Sequence, residues 1–204
     1  AYGRAAGEER YAKQAFDLFE LILHYYRTPG LLPPKTNPDT RPTKGLAMPM
    51  CLIVTAQELR RAVDDPLCTE TIDATLAEIE RDFLKPEFRC VLETVGPHGE
   101  FYDTMDGRLV TPGHSIEAGW FILEESRLRG GKPEYVDLGT TIIDWAFELG
   151  WDYAHRGVAP PADALLTPAL ILGARHGLIG VGAAHAVVAA LDTVIRRTVA
   201  RHVV

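Results

Sequence analysis

Apolar residues recur at three- and four-residue intervals along most of this chain, and proline and glycine interrupt the runs they form. Ala5 to Tyr26 predicts a helix, with Ala12, Phe16, Phe19 and Leu23 on one stripe and Ala15, Leu18, Ile22 and Tyr25 widening it. So broad an apolar face belongs inside a larger helical assembly. Thr28 to Lys44 reads as a loop, since Pro29-Gly30, Pro33-Pro34, Asn37-Pro38 and Arg41-Pro42 all disfavour a continuing helix. Met48 to Ala62 and Pro66 to Leu84 predict the next two helices. Pro66 opens the second of them, and Leu67, Thr71, Leu76, Ile79 and Phe83 point inward. Ser115 to Leu128 and Pro133 to Leu149 follow, separated by Gly130-Gly131, with Gly150 as the final cap. Helices joined by so few residues pack antiparallel, so the fold class is all-α with paired helices. The one β signal lies between the pairs. Cys90 to Val95, a Gly96-Pro97-His98-Gly99 turn and Glu100 to Asp103 predict a small hairpin insertion, and Asp106-Gly107-Arg108 makes a further tight turn.

The candidate chemistry starts where the fourth long helix begins. Pro112 and Gly113 break the preceding segment, which places His114 in the first turn, and Glu117 follows three residues later on the same face. The positive end of a helix favours a neutral imidazole over a protonated one, as a general base requires. The same spacing is also ordinary helix-start chemistry, in which Glu117 serves the backbone and His114 only caps. Trp120, one turn further on, reads equally as packing or as a ring that faces a ligand. For Trp145, core packing is the reading.

The string Pro112-Gly113-His114-Ser115-Ile116-Glu117-Ala118-Gly119-Trp120-Phe121 resembles the Pro-Gly-His-x-hydrophobic-Glu-Ala-Gly-Trp-Phe signature of the N-acylglucosamine 2-epimerase family, which includes the renin-binding proteins. Leu46-Ala47-Met48-Pro49-Met50 is similar to the family's Met-Ala-Val-Pro-Met, Arg41-Pro42 to its Gly-Arg-Pro, and Gly150-Trp151-Asp152 to its Gly-Trp-Asp. The resemblance spans about Tyr2 to Asp152. It implies part of an (α/α) toroid, or barrel, of paired antiparallel helices around a pocket. It also implies interconversion of N-acetylglucosamine and N-acetylmannosamine by proton transfer at C2. On that basis His114 is the candidate acid/base, and Glu117 orients it or handles the ring oxygen and C1 hydroxyl. Arg41, Met50 and Trp120 are candidate substrate contacts, Met50 reading otherwise as core filling. No cofactor and no metal are implied.

The family's second histidine, in a Phe-His-Val-Pro-Arg context, has no counterpart here, so the opposite face of the sugar has no assigned acid. A related isomerase branch carries Met-His where this chain has Met50-Cys51, which argues against aldose–ketose isomerisation. Two further readings stand beside the epimerase. One is a glycoside hydrolase using Glu117 with Asp106 or Glu100. The other is a non-catalytic helical interaction protein.

Composition narrows the partners. A net charge of −7 over 204 residues argues against a nucleic-acid surface. Cys51, Cys68 and Cys90 form neither a Cys-x-x-Cys pair nor an even set, so neither a disulfide framework nor structural zinc is expected, and a reducing cytoplasm is the expected setting. No apolar leader-like stretch lies near Ala1. From Tyr153 the character changes: the tail holds five Lys+Arg, none of them Lys, and two acidic residues, and it is rich in Ala, Val and Gly. It is therefore set apart as a second segment, residues 153–204, with helices expected at Ala159–Ala174 and Gly180–Arg201. His185 and Asp192 argue against a membrane span there. His155, His176, His185 and His202 show no pairing pattern. Half a toroid would expose apolar helix faces, so either the tail covers them, or a partner chain such as a second copy in a homodimer does, or the chain is a fragment with little activity.

Overall fold

A computed structural model describes residues 2–34, 36–152, 157–158 and 162–163. They divide into two units. The first comprises residues up to Asp82 together with Val95–Phe101, and the second comprises Phe83–Thr94 and the described residues from Tyr102 onward.

In the first unit the expected opening helix is broken into α1 (Tyr2–Ala6) and α2 (Glu9–Arg27). Gly7 causes the break: its φ of 66° is left-handed, a conformation glycine adopts without steric cost. On α2 the narrow stripe is the buried one, Phe19 and Leu23 being at most 3% exposed, whereas Leu18 on the widened side is 57% exposed. A two-residue strand, β1 (Lys44–Gly45), leads into α3 (Ala47–Arg60), which packs on α4 (Pro66–Glu78). Asp65 caps α4 by accepting the Leu67 N–H at 2.9 Å, and Pro66 occupies the first helical position, where its missing N–H is not needed. Cys68 and Ile72 are fully buried along with Ile79, while Leu67 is only half-buried.

The α4 pattern does not run on to Leu84 as a regular helix. It widens into a π-helical turn at Ile79–Phe83. Around that turn Lys44 Nζ reaches Glu78 Oε1 at 2.9 Å and Asp82 Oδ2 at 2.5 Å, Arg81 clasps the same Asp82 carboxylate, and Tyr26 donates its hydroxyl to Glu78. Burial alone would raise the Asp82 carboxyl. The hydrogen bonds from Arg81 and Lys44 outweigh it and hold that group below the usual carboxylate range. A carboxyl lowered on folding adds stability above its unfolded value of about 4, and that contribution fades as pH falls through the folded value. Tm is therefore expected to decline from pH 5 toward pH 2, and Asp82→Asn to flatten that decline. An unchanged acid limb in the variant would show that other carboxylates carry it.

The second unit opens with β2 (Leu84–Lys85), a short 3₁₀ turn and β3 (Cys90–Val91), which pairs antiparallel with β2. Here the expected hairpin differs in detail. The Gly96–Gly99 turn is present in the first unit, closed by the Gly96 N–H to Glu100 O at 2.9 Å, but of its arms only Cys90–Val91 and β4 (Thr94–Val95) are strands. The return arm 100–103 is not a strand, and the Glu100 side chain folds back onto the turn, accepting the His98 N–H at 2.7 Å. β5 (Leu109–Val110) then leads into α5 (Pro112–Leu128), and α6 (Pro133–Gly150) lies along α5. β6 (Trp151–Asp152) pairs with β7 (Gly157–Val158), and β8 (Ala162–Asp163) pairs with β5. The last pairing corrects the helix expected at Ala159–Ala174, since an extended partner for β5 prevails over local propensity at those two residues. The rest of that segment and Gly180–Arg201 lie outside the described residues.

α5 and α6 approach closely because glycines face each other. A Cβ on Gly119 would lie 2.9 Å from the Gly139 carbonyl oxygen and 2.6 Å from Ile143 Cγ1. Gly119→Ala gains about 1 kcal/mol of helix propensity but forces a backbone shift costing about 1–3 kcal/mol. A net fall in Tm of roughly 3 °C is expected. An unchanged or raised Tm would mean the helices can slide apart freely.

Candidate active site

The start of α5 is built by its neighbours. Thr111 is extended, Pro112 takes the first helical position, and the Ser115 N–H bonds the Thr111 carbonyl at 3.0 Å. His114 is therefore in the first turn, as the sequence indicates. Ser115, Ile116, Ala118, Gly119 and Ile122 are buried, which leaves Gly113, His114, Glu117, Trp120 and Phe121 along the open side. The His114 side chain is 46% exposed. The Trp120 ring lies 5.2 Å from that of Phe121, tilted against it.

The carboxylate bonded to His114 is not Glu117. Glu93 Oε2 lies 2.9 Å from His114 Nδ1, and the Glu93 side chain is only 17% exposed. Glu117 is exposed, and its carboxylate makes no hydrogen bond among the described residues. The carboxylate within hydrogen-bond distance of the imidazole is thus that of Glu93, and Glu117 lies on the open side of the same helix. Sequence reasoning did not single out Glu93. Its signal was present: an acidic residue between Leu92 and Val95, both fully buried.

Arg41, Met50 and Glu100 belong to the first unit, Trp145 to the second. Arg41 is exposed on its loop, where its N–H bonds the Asn37 carbonyl at 2.8 Å. Met50 is 5% exposed, in keeping with core filling. Glu100, one carboxylate considered for glycoside hydrolysis, is engaged in closing its own turn. Trp145 is half-buried beneath the Arg89 guanidinium, 5.8 Å from the ring centre. Cys68 and Cys90 are buried free thiols, and burial, reinforced by Glu87, pushes Cys90 up to about 12.

The family profile for N-acylglucosamine 2-epimerase (GlcNAc 2-epimerase) matches residues 1–169. The chain belongs to the N-acylglucosamine 2-epimerase family. The match runs past the Gly150-Trp151-Asp152 motif, to residue 169. The mouse N-acylglucosamine 2-epimerase is 30% identical over 167 residues, and the human enzyme is 32% identical over 170. Each alignment covers 76% of this chain but only 38% and 37% of the mouse and human proteins, so the chain spans little more than a third of the length of these relatives. Among solved structures, a sugar epimerase from a ruminal bacterium superposes with a TM-score of 0.52 at 14% identity, covering 60% of this chain and 31% of that one. A D-mannose isomerase superposes with a TM-score of 0.52 at 17% identity, covering 64% and 35%. These likenesses show the fold: part of a helical barrel of paired helices, as the sequence implied. No described helix is long and apolar enough to cross a membrane.

Proposed function

We propose that this chain carries one acid/base group of a sugar 2-epimerase acting on N-acylhexosamines. His114 takes the C2 proton of the open-chain sugar. The electron pair of the C2–H bond moves into C1–C2, and the C1 carbonyl oxygen becomes an enolate oxygen. Return of a proton to the other face of C2 inverts the centre, and return to the same face restores the starting sugar. Glu117, on the same open side of α5, meets the ring oxygen and C1 hydroxyl of the cyclic sugar as it opens, and Trp120 offers a ring for the C–H surface of the sugar.

The observation that supports this most is the imidazole itself. Inside the family's most specific string, it stands half-exposed at a helix start with one nitrogen held by a carboxylate, and among the described residues Nε2 makes no hydrogen bond. That leaves a nitrogen open to a substrate proton. The test is deuterium incorporation at C2 of N-acetylmannosamine and N-acetylglucosamine in heavy water, followed by NMR on the purified full chain. Deuterium incorporation at C2 is the expected result. No exchange in either sugar, from protein shown to be folded, would overturn the reading. It would favour the interaction protein, for which the exposed Leu18, Leu21 and Ile22 of α2 speak.

A further inference from the structure

The geometry points to Glu93 as the positioning residue of this site: it holds His114 as the Nδ1–H tautomer and so leaves the Nε2 lone pair as the proton acceptor. The assignment deepens the epimerase reading and rests on it for its chemical meaning, but the tautomer can be observed without any substrate.

The argument begins with donors and acceptors. An ionised carboxylate can only accept, so at 2.9 Å the Glu93 Oε2–His114 Nδ1 contact requires the proton on Nδ1. A neutral ring has one proton to place. With Nδ1 carrying it, Nε2 is the basic nitrogen, and a histidine whose tautomer is set this way needs no rearrangement before it takes a proton.

The backbone around Glu93 is pinned on two sides. The N–H of fully buried Leu92 bonds the Phe83 carbonyl at 3.0 Å, and the Glu93 N–H bonds the Leu109 carbonyl at 3.0 Å. Leu109 begins β5, and three residues after it Pro112 begins the helix that carries His114. Carboxylate and imidazole thus hang from one small framework, and their 21-residue separation in sequence closes through a single backbone hydrogen bond. The Glu93 side chain, at 17% exposed, is shielded from water that would compete for it, whereas the imidazole, at 46%, is open to the outside.

The test uses the full chain labelled with ¹⁵N-histidine, with the His114 signals assigned by their disappearance in His114→Gln. Two-bond ¹H–¹⁵N correlation spectra, recorded where the ring is neutral, report which nitrogen bears the proton. Wild type is expected to show Nδ1–H. In Glu93→Gln, whose amide can donate to Nδ1 instead of accepting from it, the signals are expected to move toward Nε2–H. C2 exchange is expected to fall by at least about 10-fold, bounded by the roughly 10²–10⁴-fold that a general base contributes. Glu93→Asp keeps the charge and is expected to retain Nδ1–H and recover part of the exchange, which separates lost positioning from a damaged fold. Wild-type Nε2–H, or an unmoved tautomer and undiminished exchange in Glu93→Gln, would overturn the assignment while leaving the epimerase reading intact. A tautomer that follows residue 93 in a protein without C2 exchange would uphold it and overturn the epimerase reading instead.

Discussion

His114→Ala is expected to reduce C2 proton exchange by about 10²–10⁴-fold, the range a positioned acid/base group contributes, and to leave the protein folded. The two halves of that expectation come from one piece of geometry. The His114 side chain is 46% exposed and, among the described residues, makes one hydrogen bond, to Glu93, so truncation opens no core cavity. It does leave a mostly shielded carboxylate without its donor, which costs about 1 kcal/mol, or roughly 3 °C in Tm. Free imidazole added to the variant should restore part of the exchange, because the vacated space opens to solvent. A much larger fall in Tm with unchanged exchange would identify His114 as a structural cap.

Arg129→Met is expected to have the largest effect on stability. Glu125 is completely buried in the last turns of α5, and Arg129 Nε donates to its Oε1 at 2.5 Å while the guanidinium lies 5.6 Å from the centre of the Tyr135 ring on α6. Arg129→Met takes the Nε donor from a carboxylate that water cannot reach, at a cost of about 3 kcal/mol, or roughly 10 °C. The double change Arg129→Met, Glu125→Gln should recover part of that loss, since the remaining amide is neutral. C2 exchange per folded molecule should not change. A single variant that loses less than about 1 kcal/mol would mean the carboxylate turns out to solvent or takes up a proton.

Most helices were legible because their causes are local. α3, α5 and α6 begin and end within a few residues of where apolar spacing, Pro112, Pro133 and Gly150 put them, and the first-turn position of His114 follows from Pro112 alone. What escaped depends on partners distant in sequence or on single-residue geometry. The widened turn after Glu78 carries Asp82 to Lys44, 38 residues away, and no 3.6-residue period encodes that meeting. The extended Ala162–Asp163 exists as the partner of Leu109–Val110, against a local composition that reads as helix. Glu117 was the nearest acidic neighbour of His114 in sequence, and Glu93 is the neighbour in space. Spacing on one helix says which side chains share a face. It does not say which other segment is folded against that face.

The meeting of Gly119 and Gly139 bears on how this protein could be re-engineered. Backbone resting on backbone makes α5 a fixed rail whose inner positions accept almost nothing larger, while Gly113, His114, Glu117, Trp120 and Phe121 project from its other side. A library confined to Gly113, Trp120 and Phe121 should therefore vary the surroundings of the imidazole while its carrier stays put, so that changes in sugar preference could be read as changes of contact and not of frame.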